Sequence, residues 1–195
     1  MNNNTKEYRS LKKRIKQLEK NYDFKECFNG PTLKQRDLIK SFILLSHAEF
    51  EEYFEGIALR VLVVSERKWE KQKVANYNLV SLLLKSDKFS KGDSTTNVYN
   101  IISSHRNFIT NKNHGIKSKN LLKMYEPLGY IEEDFEMSFL SNLDTLGSFR
   151  GDIAHHSDKK VTTLKNKNDI YYLVNLILTQ IPDFEGVIRR KCSRF

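Results

Sequence analysis

The stretch from residue 32 to residue 71 constrains the fold more than any other part of the chain. It contains no proline and a single glycine, Gly56. Apolar side chains return to one face of a helix throughout it, at Leu38, Phe42, Leu45, Tyr53, Ile57, Val61 and Val64. A helix of this length would extend about 60 Å, so we expect a kink or a break near Gly56.

Helical periodicity continues on both sides of this stretch, and only three prolines and eight glycines interrupt the 195 residues. We predict further helices at about 5–24, 77–85, 95–110, 118–125, from 132 to about 156, and 169–191. The acidic run Glu132, Glu133, Asp134 and Glu136 is expected to open the helix from 132 to about 156, because negative charge stabilises a helix N-terminus. Pro182 should kink or split the last one. The chain is therefore predicted to be all-α.

The first predicted helix is amphipathic and basic. Leu11, Ile15, Leu18 and Tyr22 form a narrow apolar stripe among many lysines and arginines. A loop signal at residues 29–31, Asn-Gly-Pro, separates it from the rest. We therefore divide the chain into a basic N-terminal helix at 1–30, which serves as an appendage or a partner-binding arm, and a helical domain at 31–195.

The formal charge of +9 favours a polyanionic partner, because lysines and arginines that neutralise phosphates release condensed counterions. Nucleic acid is the first candidate, although a solvated basic surface without a partner is equally consistent with charge alone. One basic cluster comprises His105, Arg106, His114, Lys117 and Lys119. These side chains could line an RNA path, and a solvated loop is an equal alternative.

Several classes of protein are disfavoured by the same sequence. No apolar run approaches the roughly 20 residues of a membrane span, and the first ten residues are polar, so we expect a cytoplasmic protein without a membrane partner. Cys27 and Cys192 lie far apart in no metal-binding spacing. His47 and Glu51 are one helical turn apart, but two ligands are too few for a metal site, and we expect an exposed helical pair.

The segment from Arg150 to His156 carries the residues of greatest chemical interest. RNA cleavage needs a group that transfers a proton at the 2′-hydroxyl or the leaving oxygen, and a fixed positive charge on the phosphorane-like transition state. His155 can supply the first function and Arg150 the second, so that no metal or other cofactor is required. The spacing alone is a weak signal. The plain alternative is an arginine paired with Asp152 and a histidine at a helix C-terminus, with His156 only a neighbour.

Five positions along a helix correspond to about 140° of rotation, so Arg150 and His155 of one chain point in different directions unless the helix ends between them. If two copies of this helix met across a two-fold axis, the arginine and histidine of each could converge in one cleft. Dimerisation would then be part of the site.

Two segments carry a resemblance to a known family. The stretch from His114 to His156, with NHGIKSKNLLKMYEPLGY and LDTLGSFRGDIAHH, resembles the HEPN superfamily, and in particular its stand-alone bacterial members with an Arg-Gly-x-x-Ala-His signature. The segment LSHAEFEEYFEGIALRVL at 45–62 is similar to an early helix of the same group. The likeness covers roughly residues 37–180, and the basic N-terminal helix lies outside it.

The resemblance implies an all-α, HEPN-like helical bundle that forms a homodimer, with a metal-independent endoribonuclease centre at its interface. Arg150 would bind the scissile phosphate and His155 would act as general acid or base, with Asp152 and His156 in support. Many family members carry a polar residue directly after the arginine, where this chain has Gly151. Such proteins act as toxins or antiphage effectors on cellular RNA, often beside a nucleotidyltransferase antitoxin. The alternatives are a non-catalytic adaptor that binds RNA or protein, and the target half of a toxin and antitoxin pair.

Overall fold

The structure, a computed structural model, describes residues 5–23, 31–86, 94–155 and 166–192, and at 94–96 and 155 it describes the backbone alone. Within these ranges the chain forms seven α-helices, two short 3₁₀ helices at Glu126–Leu128 and Glu132–Asp134, and no strand. The α-helices are α1 (Lys6–Asn21), α2 (Leu33–Gln72), α3 (Tyr77–Leu84), α4 (Ser94–Asn111), α5 (Ser118–Tyr125), α6 (Met137–His155) and α7 (Lys167–Cys192). The all-α prediction is confirmed. No helix in the described ranges combines the length and apolar character that a membrane crossing requires.

Two expected interruptions are absent from the helices. Helix α2 runs through Gly56 without a break, because the cost of one helical glycine, about 1 kcal/mol, is small beside the burial of Tyr53, Phe54 and Ile57 around it. Helix α7 likewise continues through Pro182. The helices therefore show neither a break near Gly56 nor a split at Pro182, and a kink at either residue stays a prediction.

The acidic run at 132–136 does not open α6, which begins at Met137. Residues Glu132–Asp134 form a separate 3₁₀ turn instead. The Asp134 carboxylate accepts a hydrogen bond from the Ile131 backbone N–H at 2.8 Å and another from the Lys191 ammonium. Because these two partners stabilise the carboxylate, its charge stabilises the turn rather than the N-terminus of the following helix.

The described chain divides into two compact units. Unit 1 comprises Met1–Tyr53, Gly115–Ser118 and Met137–Pro182. Helix α1 belongs to it and buries its apolar face, because Tyr8, Leu11, Ile15 and Leu18 are at most 5% exposed. The Tyr8 hydroxyl donates to the backbone carbonyl of Leu178 at 3.1 Å. The boundary between residues 30 and 31 stays a prediction, but the apolar face of α1 is covered within unit 1.

Unit 2 comprises Phe54–His114, Lys119–Glu136 and Asp183–Phe195. Its core contains an aromatic cluster, in which Tyr125 makes edge-on contact with the rings of Tyr130, Phe135 and Phe184 at centroid distances of 5.5–6.3 Å. The buried Tyr125 hydroxyl donates to the backbone carbonyl of Phe54 at 2.8 Å. This hydrogen bond satisfies a polar group that would otherwise destabilise an apolar core.

Candidate functional site

Arg150 lies near the C-terminal end of α6, in unit 1. The helix is anchored by Leu143 and Leu146, which are fully buried, whereas the Arg150 side chain is exposed. Among the described residues, no hydrogen bond or ion pair holds its guanidinium. The plain alternative, an ion pair between Arg150 and the exposed Asp152, is therefore not formed within this part of the chain. The exposed Arg150 guanidinium, which no described residue holds, can therefore bind an anionic ligand.

His155 is the last residue of α6, and the helix is continuous from Arg150 to it. The two positions therefore lie about 140° apart around the helix axis. A single copy of α6 does not bring them onto one face. The other histidine of the motif, His156, lies outside the described residues. How Asp152 and His156 would support the site stays a prediction.

The segment Gly115–Ser118 packs along α6 within unit 1. The Asp144 carboxylate accepts hydrogen bonds from the backbone N–H and the hydroxyl of Ser118, at 2.7 and 2.9 Å. A Cβ atom at Gly147 would lie 2.7 Å from Cγ of Lys117, so only a glycine lets the lysine stem cross the helix here. Gly147 precedes Arg150 by one helical turn, which puts the stem of the exposed Lys117 beside the same part of α6.

His47 and Glu51 form a second feature of unit 1, and the expectation of an exposed pair is wrong for the histidine. His47 is only 3% exposed, and its Nδ1 lies 3.6 Å from Oε2 of Glu51. The other carboxylate oxygen of Glu51 accepts a hydrogen bond from the backbone N–H of Gly115. Glu51 thereby ties α2 to the segment that packs on α6, a contact between residues 64 positions apart in sequence.

The charge of Arg150 reaches His47. Burial lowers the pKa of His47 below its ordinary value of 6.5, the Glu51 carboxylate raises it, and the Arg150 guanidinium lowers it further. Sequence reasoning considered this residue but missed its burial, although a signal for the burial was available. His47 follows Ile43 by four positions and precedes Phe50 by three, so it lies on the buried stripe of α2.

The described residues contain no group of three or more histidine, cysteine, aspartate or glutamate side chains arranged to hold a metal ion. His47 and Glu51 are thus not joined by a third ligand in this part of the structure. Cys192 is half-buried, and burial raises the pKa of its thiol. Cys27 lies outside the described residues.

The proposed RNA-lining residues do not share one environment. His105 is 8% exposed, and its Nε2 lies 3.0 Å from the backbone carbonyl of Met124 in unit 2. This geometry is that of a packed core histidine and does not fit an RNA contact. Arg106 is partly engaged, because its Nη2 lies 2.6 Å from Oε2 of Glu66. His114 and Lys119 of unit 2 and Lys117 of unit 1 have exposed side chains.

The two buried histidines predict how stability depends on pH. Burial lowers the pKa of both His47 and His105. Below about pH 6.5 the unfolded chain therefore binds more protons at these positions than the folded chain, and the free energy of unfolding falls as the pH falls. We expect urea midpoints to decrease from pH 7.5 to pH 5.5, and the decrease to be smaller in a His47→Gln, His105→Gln double variant. A parent protein with equal midpoints at the two pH values would contradict this assignment.

Comparison with protein families gives a match to the RiboL-PSP-HEPN family over residues 6–188. The match extends further than the resemblance described above and includes α1. Comparisons with curated proteins and with solved structures gave no match. HEPN domains are commonly ribonucleases, and they often act on RNA and dimerise. Because nearly the whole chain is matched and the described residues form helices joined by turns without a strand, the protein belongs to the HEPN superfamily, within the RiboL-PSP-HEPN family.

Proposed function

We propose that this protein is a metal-independent endoribonuclease whose active site combines Arg150 and His155 from two subunits of a homodimer. The observation that carries the proposal is the state of Arg150, an exposed guanidinium that no described residue neutralises, on the helix that ends at His155. Family membership supports RNA as the class of substrate.

The chemistry needs two groups of this kind. The 2′-hydroxyl oxygen attacks the adjacent phosphorus, its proton passes to a base, and the bond from phosphorus to the 5′-oxygen breaks as that oxygen receives a proton. The products are a 2′,3′-cyclic phosphate and a 5′-hydroxyl end. His155 would transfer the protons, and Arg150 would stabilise the additional negative charge on the phosphoryl oxygens. Lys117, whose side chain lies beside Gly147 of α6, would supply a second positive charge near the phosphate.

The separation of about 140° between the two positions favours a site shared by two subunits. A second copy of α6 related by a two-fold axis would present its His155 to the first copy's Arg150, and the reverse. We further propose that the enzyme acts as a toxin or antiphage effector on cellular RNA, controlled by an antitoxin such as a nucleotidyltransferase. The test of that role is growth arrest on expression, relieved by the adjacent gene.

Incubation of the purified protein with total RNA in EDTA tests the activity. We expect cleavage with 2′,3′-cyclic phosphate ends, and an Arg150→Ala variant slower by about 100-fold, the usual effect of losing one charge-stabilising donor. The matched control is Arg36→Ala, which removes an exposed arginine from α2 in the same unit and should leave the rate unchanged. RNA binding by the parent without any products would instead support the non-catalytic adaptor.

A further inference from the structure

Helix α1 carries an unusual concentration of positive charge for its length. Its 16 residues include seven lysines and arginines against two glutamates, which accounts for +5 of the formal +9 of the chain. All seven basic side chains are exposed. The apolar face of the same helix is covered inside unit 1, so these charges belong to a folded surface and not to a free arm.

Six of the seven cations lie on one side of the helix. At 100° per residue, they occupy an arc of about 120° that faces away from the buried side chains. We call this set the α1 stripe, and it consists of Lys6, Arg9, Lys12, Lys13, Lys16 and Lys20. From Lys6 to Lys20 the stripe extends about 21 Å.

The other charged residues of α1, which are Glu7, Arg14 and Glu19, lie off the stripe, and each of them has a partner. Arg14, on the opposite flank, forms an ion pair with Glu49 at 2.8 Å. The Glu19 carboxylate accepts a hydrogen bond from the Asn175 side chain. Within the stripe, Lys13, Lys16 and Lys20 form no ion pair with any residue that the structure describes. The stripe therefore keeps its net positive charge at the surface.

We infer that the α1 stripe binds the sugar-phosphate backbone of single-stranded RNA. A row of regularly spaced cations about 21 Å long matches a linear polyanion, and the release of its counterions would drive binding. Arg9 and the five lysines offer no aromatic or aliphatic anchor, so they would hold RNA without reading its bases. The inference takes RNA from the proposed function, but it does not depend on cleavage.

Two other polyanions fit this surface less well. An anionic membrane binds an amphipathic helix by burying its apolar face among the lipids. That face of α1 is not available, because Tyr8, Leu11, Ile15 and Leu18 are covered by unit 1. An acidic protein partner would be expected to engage a central aromatic or aliphatic anchor, and the stripe has none.

The test measures binding of a 2′-O-methyl oligouridylate, whose sugars lack the nucleophilic hydroxyl and cannot be cleaved by the proposed reaction. The stripe variant carries Lys13→Gln, Lys16→Gln and Lys20→Gln. The control variant carries Lys34→Gln, Lys71→Gln and Lys123→Gln, three exposed lysines outside α1, so that both variants lose the same charge. Both should keep the parental thermal midpoint, because glutamine and lysine have similar helix propensities.

We expect the stripe variant to bind the oligouridylate at least about tenfold more weakly at low salt. The negative slope of the logarithm of the association constant against the logarithm of the salt concentration should become shallower by about 2, the value for three lost phosphate contacts on a single strand. The control variant should change the dissociation constant less than about threefold and leave the slope near the parental value. Equal losses in the two variants, or no loss in the stripe variant, would overturn the assignment. Unchanged RNA binding with loss of binding to phosphatidylserine vesicles would overturn it in favour of a membrane surface.

Discussion

Mixing two inactive variants, Arg150→Ala and His155→Ala, is expected to restore RNA cleavage. Each variant alone should lose a factor of about 100 or more, because one lacks the fixed positive charge and the other lacks the proton-transfer group. If subunits exchange freely, about half of the dimers are mixed, and each mixed dimer keeps one site with an intact arginine from one subunit and an intact histidine from the other. The mixture should therefore regain roughly a quarter of the parental rate.

The experiment distinguishes a shared site from a site within one subunit. If Arg150 and His155 acted within the same chain, no mixed dimer would contain a complete pair, and the rate would stay at the level of the single variants. The control mixes Arg150→Ala with a protein that carries both substitutions, a combination that cannot form an intact pair in any dimer. Recovery in this control, or a protein that is monomeric at the assay concentration, would contradict the shared site.

The helices were predictable because their signals are local. The apolar stripe of α2 repeats every three to four residues, and the predicted bounds of 32–71 differ by one residue at each end from the observed Leu33–Gln72. Caps are equally local. The Thr5 hydroxyl that accepts from the Tyr8 backbone N–H at 3.0 Å lies three residues from its partner. Periodicity and capping thus gave the element order, and the family match agrees with the fold derived from them.

The environment of Arg150 was not predictable in the same way. The contacts that shape it join α2 to Gly115 and Ser118 to Asp144, over separations of 64 and 26 residues. No local rule specifies such pairs, because each depends on how whole helices pack. The hydrogen bond from the Gly115 backbone to the Glu51 carboxylate is the clearest case. The i,i+4 pairing of Glu51 with His47 was visible in the sequence, but this longer-range contact depends on the tertiary structure.

Gly129→Ala is expected to be one of the most destabilising single-methyl additions in the chain. Gly129 has a φ of +88°, in the left-handed region, where a side chain costs roughly 1–2 kcal/mol. A Cβ atom there would lie 2.6 Å from Cε1 of Tyr77. The ring must then move, although its hydroxyl donates to the Gly129 carbonyl at 2.9 Å, a hydrogen bond that contributes about 1 kcal/mol.

These contributions together predict a loss of about 2–3 kcal/mol, a large part of the total stability of a typical domain. The matched control is Gly151→Ala in α6, where a new Cβ meets no atom within 4 Å and the helix should gain about 0.5–1 kcal/mol. Urea unfolding of the two variants measures both effects, and they should have opposite signs.

In a Tyr77→Ala background the cost of Gly129→Ala should fall to the conformational part, about 1–2 kcal/mol, because the clash with the ring is gone. An unchanged cost in that background would show that the ring contact contributes nothing.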